Sequence, residues 1–154
     1  MNIEILPALA LFAFAISVTP GPNNLMLMAS GANFGFRRTI PHMTGISLGF
    51  CMMMILTGLG LIEIFDRFPI SYTALKILST IYLIYLAWKI ATAAPIKEQT
   101  GAGRPMTFFQ AAAFQWVNPK AWTMAMTAIT VYVADSGVMM LITAAIMFAV
   151  VNLP

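Results

Sequence analysis

Apolar residues in this chain fall into long runs separated by short polar breaks. Five runs are legible, at residues 3–32, 39–62, 71–93, 106–134 and from 137 onward, the last still apolar at Val151. One ~30 Å bilayer crossing takes about 20 mostly apolar residues, and the runs have that scale. Backbone exposed to lipid must satisfy its own hydrogen bonds, which leaves helices or closed barrels. Barrel strands alternate in polarity over about ten residues, and Ile81-Tyr82-Leu83-Ile84-Tyr85-Leu86-Ala87-Trp88 does not alternate. The pattern predicts an all-α integral membrane fold with about five transmembrane helices.

Two of the runs are interrupted. Thr19-Pro20-Gly21-Pro22-Asn23-Asn24 breaks the first and Asn118-Pro119-Lys120 the fourth. A proline inside a helix removes a hydrogen bond and clashes with the preceding turn, at roughly 3 kcal/mol. Proline is at home, however, at the first position of a new helix behind a capping residue. Thr19 or Gly21 would cap a half-helix in the first segment, and Asn118 one in the fourth. The breaks fall in corresponding places if residues 1–93 form a first three-helix repeat and residues 106–154 an incomplete second one, joined by a Gly/Pro-rich polar loop at 94–105. An odd number of spans per repeat inverts the second against the first. Paired broken helices in an inverted 3+3 repeat mark a substrate site near the midplane of transporters. A single proline kink would need no functional account; a matched pair beside a charge points to a site.

The chemistry at the breaks suits an anion. Half-helix N-termini present unsatisfied N–H groups and a positive dipole end. Lys120 adds a full charge, and charge within a span is a functional signal, although a lysine can also snorkel to the interface. The candidate substrate-binding residues are Thr19, Pro20, Gly21, Pro22, Asn23, Asn24, Gln115, Asn118, Pro119 and Lys120. Thr44, Ser47, Thr123, Thr127 and Thr130 either line the same cavity or bond back to their own helices.

Composition agrees with membrane embedding: 154 residues, 60% hydrophobic, 8% charged, mean hydropathy +0.87, where a soluble domain carries roughly 25% charged residues. The net charge of +3 is scattered and does not point to nucleic acid. Arg37, Arg38, Lys89, Lys97 and Arg104 flank one set of loops; Arg67, Lys76 and the acids Glu63, Asp66 and Asp135 lie on the other side. The basic side is expected to be cytoplasmic, with the N-terminus outside. Met1-Asn2-Ile3-Glu4 lacks the basic start of a signal peptide, so the first segment is expected to remain as a span of the plasma (bacterial inner) membrane.

Other residues need no special chemistry. Cys51 reads as a buried, inert thiol, His42 as an interfacial residue with a proton relay as the minor alternative. Methionines such as Met52-Met53-Met54 lack ligand spacing and read as gap fillers. Tyr72, Tyr82, Trp88, Trp116 and Trp122 suit interface belts or cavity walls. Gly31/Gly35 and Gly45/Gly49, with Gly58 and Gly60 after them, predict close helix packing within the chain, with a homo-oligomer contact as the alternative. No P-loop, metal set or cofactor motif is present, and no paired acids or Ser/His arrangement supports an enzyme.

Thr19-Pro20-Gly21-Pro22-Asn23, Gly31…Gly35, Gly45…Gly49, Leu86-Ala87-Trp88-Lys89 and Val117-Asn118-Pro119-Lys120-Ala121 resemble the lysine-exporter (LysE/RhtB) superfamily of amino-acid efflux proteins. Leu86-Ala87-Trp88-Lys89-Ile90-Ala91-Thr92 is similar to its cysteine/O-acetylserine exporters. The resemblance implies export of a small amino acid or derivative (cysteine/O-acetylserine or homoserine/threonine class), driven by protons, with the Pro-motif residues at the site. Members of that superfamily run to about six helices, so the resemblance also implies a C-terminal truncation. That leaves an inactive truncated exporter, or a membrane scaffold or accessory subunit, as the alternative function.

Overall fold

The computed structural model describes residues 3–91, 104–133 and 137–152. Among them every regular element is helical. The polar loop expected at 94–105 lies outside these residues except for Arg104 and Pro105, and so does Asp135.

The first apolar segment is two helices, α1 (Leu6–Val18) and α2 (Pro22–Phe34), bent by 60° at the break. Pro20 has no N–H and disfavours helical backbone at the residue before it, so Thr19 swings to φ −60°, ψ 132°. The Thr19 hydroxyl and N–H both donate to the Ala15 carbonyl, at 2.7 and 3.2 Å. The Asn24 amide reaches back from α2 to the Ser17 and Thr19 carbonyls, at 2.8 and 3.1 Å, and so closes the carbonyl end of α1. Gly35 ends α2 at φ +79°, in the left-handed region where a Cβ is costly, and turns the chain into α3 (Phe36–Leu56).

α3 and the turn after it supply the one unbroken stretch, Phe36–Gly60, long and apolar enough to cross a membrane among the described residues; the bent α1–α2 pair passes the same test as a single broken span. α4 (Ile62–Arg67) and α5 (Ile70–Ala91) follow. The helical run widens at Thr57–Leu61, where Gly60 has φ +114°; the apolar pattern runs straight through this break and gives no sign of it. The fourth segment is α6 (Phe108–Phe114), a tight turn at Gln115–Val117, an extended Asn118 and α7 (Pro119–Ala128). α8 (Gly137–Val151) is the fifth.

α6 starts on a capping box. The Thr107 hydroxyl accepts from the Gln110 N–H at 3.3 Å, while the Gln110 side chain accepts from the Thr107 N–H at 3.0 Å. Two backbone donors at the helix start are thereby satisfied.

α3 is the central helix, packed against α2, α6 and α8. Glycine makes its approach to α6 possible. A Cβ on Gly49 would stand 2.5 Å from the Ala112 Cα, and one on Gly45 would run into the Phe108 carbonyl. A Cβ on Gly58 would instead meet only the Leu141 side chain, 2.5 Å from its Cδ1. Gly31 and Gly35 differ: a Cβ on either meets nothing within 4 Å, so this pair does not serve the packing within the chain that its spacing suggested.

The apolar core joins α1, α3, α7 and α8 through Leu9, Phe50, Met53, Met54, Ala125, Met140 and Phe148. Phe148 packs at a tilt against Phe50 and meets Phe12 edge-on, with ring centroids 5.2 and 6.0 Å apart. Met53 and Met54 are wholly buried there, in the gap-filling role their flexibility suits. Cys51 is half-buried rather than buried.

Candidate functional site

The two breaks meet. Pro22 and Pro119 each take a position in the first turn of their helices, α2 and α7, where a fixed φ near −65° is already helical and no N–H is lost to the ladder. Their caps differ. Asn118 caps α7, its side-chain oxygen accepting from the Lys120 N–H at 3.1 Å. Gly21, extended at φ −169°, offers α2 no side-chain cap.

Contacts between the breaks are polar. Asn23 and Gln115 face each other as a reciprocal amide pair: Asn23 Nδ2 donates to Gln115 Oε1 at 2.9 Å, and Gln115 Nε2 to Asn23 Oδ1 at 3.3 Å. Gln115 also donates to the Ala111 carbonyl at 2.9 Å, and it is fully buried. The Lys120 ammonium crosses to the first break and donates to the Thr19 carbonyl. Its stem lies over Gly21, where a Cβ would stand 2.7 Å from the Lys120 Cδ. Gly21 thus leaves the space in which the flexible Lys120 stem lies; a side chain there would have to push the stem aside.

These groups border a narrow cleft that is partly open to the outside. Six of the expected site residues line it: Gly21, Asn23, Asn24, Gln115, Asn118 and Lys120. Thr19, Pro20, Pro22 and Pro119 do not; Thr19 offers its carbonyl, and the prolines set where the helices stop and start. Among the described residues, Lys120 is the one charged side chain in the lining, and no carboxylate accompanies it. The cleft is therefore electropositive, rich in amide and N–H donors, and suited to an anion with further hydrogen-bonding groups.

The rest of the lining escaped sequence reasoning. Ile46 and Phe50 come from α3, Ala121 and Met124 from α7, Ser17 from the end of α1 and Asn152 from the end of α8. Ile46 and Phe50 recur at a spacing of four on one face of α3, but so do many core positions. Asn152 is held in place by the Ser47 hydroxyl, which donates to its carbonyl at 2.9 Å. The hydroxyls of Thr44, Thr123 and Thr130 instead bond back within their own helices, to Ile40, Pro119 and Met126, and line no part of the cleft. Trp122 is buried, donates to the Trp116 carbonyl at 2.9 Å and packs edge-on against that ring; both stand outside the cleft lining. His42 is buried at 2% exposure, not set at a wet interface.

A family model described as LysE type translocator matches residues 14–153. The chain belongs to the LysE type translocators. It is therefore a membrane transport protein and not an enzyme. This LysE-type chain is 34% identical over 137 residues to the cysteine/O-acetylserine efflux protein of Escherichia coli strain K12, an alignment covering 86% of this chain and 68% of that protein. The cysteine/O-acetylserine efflux protein of Shigella flexneri serotype 5b (strain 8401) is 35% identical over 133 residues, covering 84% of this chain and 66% of the relative. No solved structure gives a significant match.

Proposed function

We propose that this LysE-type translocator is a secondary transporter that exports a small amino acid or derivative, of the cysteine/O-acetylserine or homoserine/threonine class, out of the cytoplasm. The observation that carries the reading is the meeting of the two broken segments in one cleft, where the Lys120 ammonium of α7 reaches the Thr19 carbonyl in the α1–α2 break. A substrate carboxylate would displace that carbonyl and accept from Lys120 and from the uncapped N–H groups at the start of α2. An uncompensated ammonium inside a span favours an anionic ligand. The Asn23–Gln115 pair would then meet the polar remainder of the solute. The efflux activity named for the relatives points the same way.

The membrane arrangement follows as part of the proposal. Five segments cross, the first and fourth broken at corresponding places of two inverted repeats. Arg37, Arg38 and Arg104, all exposed, face the cytoplasm, and the N-terminus is outside. Export is driven by the proton gradient. Proteoliposome counterflow with labelled cysteine, O-acetylserine, threonine and homoserine tests the function. Flux of at least one, lost in Lys120→Met, is expected; no flux of any from folded protein would overturn it.

A further inference from the structure

His42 is the sole histidine of the chain, sits in α3 at 2% exposure, and neither ring nitrogen has a hydrogen-bond partner among the described residues. A neutral imidazole carries one donor and one acceptor, and its charged form two donors. Buried polar groups are almost always paired, so an orphan of this kind requires a reason. Local polar groups are already engaged. The Thr39 hydroxyl, one turn earlier, is shared between Ser30 at 2.9 Å and the Gly35 carbonyl at 3.0 Å. The Thr44 hydroxyl is taken by the Ile40 and Pro41 carbonyls, at 3.0 and 3.2 Å.

Among the described residues of the elements packed on α3, no countercharge is at hand either. Of the elements packed on α3, namely α2, α6, α8, α7 and the turns at Thr57–Leu61 and Gln115–Val117, only α7 carries an ionisable side chain, and that is the cation Lys120. On α3 itself Arg37 and Arg38 are cationic and exposed, as is Arg104 before α6. The Cys51 thiol lies more than two turns further along α3. Among the described residues, an imidazolium in this setting has neither a hydrogen-bond acceptor nor an anion beside it, which favours the neutral ring.

Two features connect this ring to the cleft. Ile46 and Phe50, at four and eight residues beyond His42 on the same face of α3, line it. Pro41, immediately before His42, sits inside α3 and deprives that turn of one backbone hydrogen bond. Such a position is where a helix kinks and where water can enter the ladder.

We propose that His42 is the proton-binding residue of the transport cycle: neutral and sealed in the state seen here, protonated in a second state in which its ring is hydrated. A proton with this preference shifts the balance between the two states by its differential affinity, as any ligand does. Proton binding and release at one ring nitrogen is the whole chemical step. This rests on the transporter reading for its purpose, but not for its first test.

That test is NMR of the full chain in lipid nanodiscs with ¹⁵N-labelled histidine, where one residue gives one unambiguous ring. Reversible titration between about pH 5 and 8 is expected. The midpoint should also move when O-acetylserine or cysteine is added to a preparation that transports it. A ring that stays neutral throughout, or a midpoint indifferent to a transported solute, overturns the proposal. Absence of flux for every solute would instead sink the transporter reading, leaving the titration to decide on His42. In proteoliposomes, His42→Gln, which keeps a donor and an acceptor, is expected to reduce stimulation of efflux by an imposed pH gradient at least about fivefold, the lower end of ordinary coupling factors. Undiminished stimulation in that variant would also overturn it.

Discussion

Lys120 and Gly21 form one device. The lysine stem crosses above a residue with no side chain, and the ammonium ends on a backbone carbonyl rather than a carboxylate, a partner that a stronger acceptor can replace. Hydrogen bonds to charged groups are worth about 1.5–3 kcal/mol, or roughly 10- to 150-fold in affinity. Lys120→Met should weaken substrate binding by about that factor while leaving the thermal melt in detergent little changed. Gly21→Ala should act on the same step. Its methyl displaces the Lys120 stem, so substrate affinity falls about tenfold with the fold intact. Equal affinities for wild type and Gly21→Ala in a binding titration would show that the lysine position is not critical.

The Asn23–Gln115 pair makes a different prediction, because both amides satisfy each other. Gln115→Leu strands the Asn23 amide and should cost about 1–3 kcal/mol, read as a lower melting temperature. Adding Asn23→Leu should restore part of it, since removing both partners is far milder than removing one. A double-mutant cycle with no coupling would contradict the pairing.

At the scale of elements, the helix starts were legible and the helix partners were not. Pro22 and Pro119 fix half-helix starts by local rules, and Asn118 caps as its residue type dictates. The apolar runs gave the segments within a few residues. What periodicity could not supply was which faces converge: Ile46, Phe50 and Met124 have no chemistry that separates them from core residues. Thr123 and Thr130 line nothing because a helix offers each hydroxyl an acceptor four residues back. His42 stands near the start of its apolar run, which suggests an interface, yet α3 begins earlier, at Phe36, and buries it.

Small residues divide in the same way. Gly45 and Gly49 set the α3–α6 distance, whereas Gly31 has empty space beside it. Gly49→Leu should therefore destabilise by about 1–3 kcal/mol or fail to fold. Gly31→Ala should stay within about 0.5 kcal/mol of wild type. Detergent melts of the two variants compare them directly, and a reversed order would refute the packing.

For the whole molecule, membership of a translocator family, a lysine-bearing polar cleft and two converging broken segments are the observations on which the proposed export of a small carboxylate-bearing solute rests. The proposed orientation is testable separately. With Cys51 replaced by alanine, a cysteine at position 38 should react with a membrane-impermeant thiol reagent only from the cytoplasmic side; labelling from outside would invert the topology. The carboxylate itself is tested most directly by competition in proteoliposome counterflow of labelled O-acetylserine, comparing cysteine with cysteamine, which differs only in lacking the carboxylate. Cysteine should compete and cysteamine should not, by about tenfold or more for a lost charge-assisted contact. Equal competition by the two would contradict a site built around Lys120.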